Sequence, residues 1–117
     1  MELTSAVLGD IPMLVAKGVI DRDVCGSLQS ALDRLTEARH NIVFLDLNDV
    51  TCMDSAGPSV LLTWVQALRG RGWLGVIGAN ANIRRLLEGE AFLGHPNVRV
   101  FETRQAALHA TGERQST

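Results

Sequence analysis

The run Asn41-Ile42-Val43-Phe44-Leu45 is apolar almost throughout, and a strand of that kind has to be covered on at least one face by other structure. The flanking sequence offers that cover in a regular order. Upstream, Leu3 to Leu8 and Met13 to Ile20 are short apolar runs separated by Gly9-Asp10-Ile11-Pro12, a turn signal that predicts an N-terminal β-hairpin. Pro12 has no N–H for a ladder and belongs at or just before the start of the second strand. Between hairpin and central run, Val24, Leu28, Ala31, Leu32 and Leu35 recur at helical spacing, with Asp33, Arg34 and Glu37 on the other side. This predicts a helix from Val24 to Arg39, capped by Asp21 or Asp23.

Beyond the central run, a second helix is expected over Pro58 to Arg69, with Val60, Leu61, Trp64, Val65 and Leu68 as its core stripe and Arg69-Gly70-Arg71-Gly72 as its stop. Trp73 to Ile77 reads as a strand, and Gly78-Ala79-Asn80 turns into a short helix through Ile83, Leu86 and Leu87. The stretch 88–97 holds Gly89, Gly94 and Pro96 and reads as loop, with Ala91-Phe92-Leu93 returning to the core. Val98 to Phe101 is a last strand, and Thr103 caps a closing helix with Ala106, Ala107 and Leu108 inward. Three strand–helix units after a hairpin predict an α/β fold: a mixed sheet of four to five strands with a parallel portion, and about four helices packed on it. The chain of 117 residues and 12.7 kDa makes one domain. It is placed at 1–110, and 111–117, which lacks an apolar anchor, is expected to be a flexible tail.

Composition narrows the function. A formal net charge of −2 and the lack of any Lys/Arg run argue against direct contact with nucleic acid. No apolar run reaches the roughly 18 residues of a membrane span, and the start lacks the basic and apolar regions of a secretory signal, so a cytoplasmic protein is expected. Two cysteines, Cys25 and Cys52, and the scattered His40, His95 and His109 form no metal constellation, and no cofactor is expected. Reduced thiols in small apolar roles are the default for both cysteines. The weighed alternative is a disulfide tying the first helix to the loop after the central strand. Asp46 and Asp54 invite an acid–base or Mg²⁺ reading, but acids at strand ends cap turns, and no His, Lys or Tyr stands at hand. Arg84-Arg85 reads as a solvated helix face, and Trp64 and Trp73 as core.

The informative stretch is Leu45-Asp46-Leu47 followed by Met53-Asp54-Ser55-Ala56-Gly57-Pro58. It predicts a serine exposed beyond the carboxyl end of a strand, near the positive end of a helix dipole. Such a hydroxyl suits modification or capture by a partner. With no base in view it is not a nucleophile. The loops after Ile20 and Leu47 both leave carboxyl ends of strands and are expected neighbours. At about 100° per residue, Pro58, Ser59, Leu62 and Gln66 fall on the side of the second helix away from its core stripe. Leu62 is an apolar residue on that outward side.

These residues together resemble a STAS domain, the small fold of bacterial anti-sigma factor antagonists. The resemblance rests on Gly18-Val19-Ile20-Asp21, Phe44-Leu45-Asp46-Leu47, Met53-Asp54-Ser55-Ala56-Gly57 and Ile83-Arg84-Arg85-Leu86-Leu87, and covers residues 3 to 110. It implies a protein that acts by binding and not by turnover. Its partner would be an anti-sigma factor that is also a serine/threonine kinase, which phosphorylates the serine after the aspartate; a serine phosphatase resets the switch. The unphosphorylated form binds the kinase and frees a sigma factor. On this chain the phosphoacceptor would be Ser55, with Asp21 and Asp54 as acidic members of the docking surface and Gly57, Pro58, Ser59 and Leu62 beside them. Where the family usually has an aliphatic residue after Asp-Ser-x-Gly, this chain has Pro58. Proline disfavours α geometry in the preceding residue, so Gly57 is the expected N-cap, with Ser55 in the loop. An unmodified STAS scaffold in a multiprotein or lipid-transport assembly is the second alternative, and a small enzyme using the strand-end carboxylates the third.

Overall fold

The computed structural model describes residues 2–9, 11–37, 42–67, 72–89 and 97–115, with the backbone alone at 35–37, 67, 89 and 111–115. The elements follow in the order β1 (Glu2–Leu8), β2 (Ile11–Ile20), α1 (Cys25–Glu37), β3 (Ile42–Met53), α2 (Ala56–Ala67), β4 (Trp73–Ile77), α3 (Ala81–Gly89), β5 (Val98–Phe101) and α4 (Arg104–Gln115). A single 3₁₀ turn, Arg22–Val24, leads into α1. The five strands lie in sequence order, β1 antiparallel to β2 and the rest parallel. This is the mixed sheet with four helices that the sequence predicts. Gly9 makes the hairpin turn at φ 63°, a region open to glycine at no steric cost. Pro12 sits second in β2, opposite Val7.

Alternation along β3 builds a core on each side of the sheet. Val43, Leu45 and Leu47 face the layer of α1, α2 and α3, where Leu28, Leu61 and Ile83 meet them. Phe44 faces the other way, with Met13, Val15, Trp73 and Ile77, and Ala107 of α4 closes that side. A strand buried on both faces has no polar positions to spare, which is why 42–45 reads as unbroken apolar sequence. Each such side chain removed from water contributes about 1.5–3 kcal/mol.

Two expectations are corrected. β3 does not end at Leu47; it runs on to Met53 and stays paired with β2, Gly18 opposite Val50 and Ile20 opposite Met53. The pairing crosses register shifts between Val15 and Lys17 and between Gly18 and Val19, and Gly18 takes φ 95° there. Asn48 and Asp49 are exposed at this irregularity, so the apolar pattern lapses while the backbone ladder continues. In α4 only Ala107 of the three residues expected inward is buried; Ala106 and Leu108 are exposed. Three consecutive residues cannot share one helix face. The backbone of α4 is helical to Gln115. The expected helix ends at Arg39 and Arg69 and the return of Ala91-Phe92-Leu93 to the core lie outside the described residues.

Candidate functional site

Because β2 and β3 are parallel, their carboxyl ends meet at one edge of the sheet. Ile20 stands opposite Met53, and the Asp54 N–H donates to the Ile20 carbonyl at 3.0 Å. The Asp54 carboxylate then spans both loops. Its Oδ1 accepts from the Ala56 N–H at 2.9 Å and its Oδ2 from the Arg22 N–H at 3.1 Å. Asp21 closes its own loop: its Oδ1 accepts from the Asp23 N–H at 3.0 Å and its carbonyl from the Val24 N–H at 3.1 Å. The two loops are neighbours, as expected. The second of them is 54–55 and not the stretch after Leu47.

The start of α2 differs from the expectation drawn from Pro58. Asp54, and not Gly57, caps the helix, which begins at Ala56. The Gly57 N–H donates to the Asp54 carbonyl, three residues back, at 3.1 Å. That tight closure is what accommodates proline. Pro58 occupies the position whose N–H would otherwise bond that same carbonyl, and proline has none. Its ring is buried, so the outward placement expected for Pro58 is corrected. Gly57 is buried too, and a Cβ there would come 2.5 Å from Met53 Cγ, 2.7 Å from Met53 Sδ and 3.6 Å from Ile20 Cγ2. The missing side chain lets α2 press onto the joined ends of β2 and β3.

Ser55 lies just before α2 and is exposed, as is Ser59. The Ser59 hydroxyl donates to the Ser55 carbonyl at 3.3 Å, and the Thr63 hydroxyl to the Ser59 carbonyl at 2.9 Å. A row of hydroxyls thus follows the exposed flank of α2. Gln66 is exposed on the same helix, whereas Leu62 is half-buried and packs against the main core. That corrects its fully outward placement.

Both cysteines are free thiols, Cys25 buried and Cys52 exposed. Cys25 Sγ donates to the Asp21 carbonyl at 3.2 Å. Burial above all, then the carboxylates of Asp54 and Asp21, push the Cys25 thiol above its ordinary pKa, against a smaller lowering by Arg22.

Asp46 takes no part in this edge. It is buried on the α4 side, where Oδ1 accepts from the backbone and side-chain N–H groups of Asn48, both at 2.9 Å, and Oδ2 from Arg104 Nε. A carboxylate so engaged anchors α4 to the sheet. Arg104 stands 58 positions from Asp46, and no local sequence signal joins them. Among the described residues no group of His, Cys, Asp and Glu is placed to hold a metal ion, and no helix is long and apolar enough to cross a membrane. What the edge presents is an exposed hydroxyl beside a carboxylate that is hydrogen-bonded to both loops.

A family model described as "Mlab, STAS domain" matches residues 6–89. No curated protein matches the chain. Among solved structures, an anti-sigma factor antagonist from Mycobacterium paratuberculosis is similar at TM-score 0.82 and 18% identity, over 93% of this chain and 92% of that one. The Bacillus cell fate determinant SpoIIAA in its phosphorylated form is similar at TM-score 0.71 and 12% identity, over 94% and 99%. A sulfate transporter family protein from Wolinella succinogenes is similar at TM-score 0.72 and 21% identity, over 90% and 87%. At these identities the structures share the fold. The family match spans most of the chain, and this protein belongs to the STAS-domain family.

Proposed function

We propose that this protein is an anti-sigma factor antagonist, which binds a kinase-type anti-sigma factor in the cytoplasm and is switched off by phosphorylation of Ser55. The observation that carries the reading is the exposed Ser55 hydroxyl next to Asp54, whose carboxylate already ties the two loops together. A phosphate there adds about −1.5 to −2 charges at neutral pH. Helix N-termini commonly cradle phosphates with free amides. Here the amides of Ala56 and Gly57 are taken by Asp54, and Pro58 has none. With those amides taken, the start of α2 would neutralise little of the new charge beside Asp54, close to Asp21, and that charge would repel a partner fitted to the bare hydroxyl. Asp21, Asp54, Ser59 and the exposed part of Leu62 would form the docking surface, with Gly57 and Pro58 shaping it from beneath. A serine phosphatase would restore the binding form.

Mixing with candidate anti-sigma kinases, with and without ATP, tests this directly. The complex should form and ATP should dissolve it, with the phosphate on Ser55 by mass spectrometry. Ser55→Glu should weaken binding at least tenfold, about 1.4 kcal/mol, and Ser55→Ala should make the complex insensitive to ATP. Modification confined to Ser59 or Thr63 would sink the assignment. The second reading is an unmodified STAS scaffold in a multiprotein or lipid-transport assembly; the family description names a STAS domain without a phosphorylation role, and a sulfate transporter family protein shares the fold. It predicts a complex that ATP leaves intact.

A further inference from the structure

The sheet has two edges, and they are built differently. β5 has four residues and carries Arg99, whose guanidinium lies 5.0 Å from the centroid of the Trp73 ring; a short, charged edge resists further pairing. β1 has seven residues and runs without a register shift from Glu2 opposite Lys17 to Leu8 opposite Ile11. After Glu2 it holds no charge, proline or glycine. Its outer N–H and C=O groups are an open template. Val7, at 67% exposure the most exposed large apolar residue of those described, stands on this strand.

Alternation puts Leu3, Ser5 and Val7 on the α1 side of β1, and Leu3 packs against the core there. On that side an open groove of about 580 Å³ separates the strand from α1. Leu3, Ser5, Ser27 and Ser30 line it, with Asp23 before the start of α1 and Arg34 near its end. Since α1 follows β2 and packs back on it, it runs in the same sense as β1.

We infer that β1 is the seam of a symmetric dimer, pairing antiparallel with β1 of a second copy about a two-fold axis at Ser5. This register pairs all seven residues: Glu2 with Leu8, Leu3 with Val7, Thr4 with Ala6, and Ser5 with itself. Val7 of each copy then lies against the other's Leu3 on the groove side. The same axis sets the two α1 helices antiparallel across the seam, which brings Asp23 of each copy to the end where the other presents Arg34. An isologous interface requires this kind of self-complementarity, in apolar contacts and in charge. An unrelated extended peptide would meet the strand edge but would not be matched by the charges at the two ends of the groove. The proposal is independent of the role of Ser55.

Sedimentation of the full chain over a wide concentration range should show the mass rising toward twice that of the monomer. Ser5→Lys, which sets two ammonium groups against each other on the axis, should hold the chain monomeric, and its melting temperature should match that of the wild type diluted to the monomer and no longer rise with concentration. Asp23→Arg and Arg34→Asp should each weaken association at least tenfold, and the double variant should restore it. In a Cys52→Ser background, Ser5→Cys should yield a disulfide-linked dimer on oxidation. A wild type that stays monomeric throughout overturns the proposal, as does a dimer indifferent to Ser5→Lys or a double charge swap that fails to restore association. Protection of the β1 amides from exchange only when a different protein is added would assign the edge to that protein and overturn it equally.

Discussion

Asp54 holds the candidate edge through four hydrogen bonds: its N–H to Ile20, its carbonyl from Gly57, Oδ1 from Ala56 and Oδ2 from Arg22. Its carboxylate therefore has two separable roles, cap and charge. Asp54→Ala should cost about 0.5–2 kcal/mol, the usual loss for a helix cap. Asp54→Asn keeps an acceptor for Ala56 but turns an amide donor toward the Arg22 N–H, so its denaturation midpoint should fall between those of Asp54→Ala and the wild type while the effect of a Ser55 phosphate on the partner weakens. Ser55→Ala, at an exposed hydroxyl that caps nothing, should fall within about 0.5 kcal/mol of the wild type. The thiols offer a second check at this scale. With a thiol reagent, exposed Cys52 should react promptly and buried Cys25 only as the chain opens. The folded pKa of Cys25 is raised, so its contribution to stability is full below the unfolded thiol's value and is lost as pH rises through the folded one. Alkaline unfolding should be less steep in Cys25→Ala, and an unchanged slope would contradict the burial argument.

Helix placement depends on contacts at the ends of elements. Gly57→Ala drives a methyl into Met53; the methionine must move, and a cost of about 1–3 kcal/mol is expected. Met53→Ala in the same chain should recover part of that cost, which a double-mutant cycle by chemical denaturation would measure. At the other face, α4 is held by Ala107 in its core contact and by the Asp46–Arg104 pair. Arg104→Ala removes a half-exposed cation from a buried carboxylate that keeps its Asn48 donors. A loss of about 1–3 kcal/mol is expected, with faster amide exchange concentrated in α4. Exchange spread evenly over the molecule would show that the pair does not hold the helix.

Across the whole molecule the two cores are unequal, one covered by three helices and the other closed by α4. The smaller one relies on aromatic packing. Phe44 lies 5.7 Å from Trp73 and 6.0 Å from Phe101, both edge-on, and Trp73 lies 6.1 Å from Phe101. These rings join β3, β4 and β5. Phe44→Ala should cost about 3–5 kcal/mol against a typical total of about 5–15 kcal/mol, leaving the chain unfolded or close to it at room temperature. A variant that melts like the wild type would mean that the ring cluster contributes little. Buried Leu61 and Leu45 were plain in the sequence, as repeats of 3.6 and as an unbroken run. The ring cluster was not, because Trp73 has no aromatic residue beside it in sequence.

Order of elements, the hairpin, the parallel portion and the exposure of Ser55 follow from the chain alone, since periodicity and turn residues act over a few positions and are present in every local window. The length of β3, the cap at Asp54, the inward turn of Pro58 and the partner of Asp46 do not. Each depends on a group from a distant segment: β2 beneath the bulged end of β3, Ile20 and Arg22 beside Asp54, Ile20 against Gly57, Arg104 against Asp46. A hydrogen bond or a close contact between remote residues has no local signature, and only the assembled sheet brings these pairs within reach.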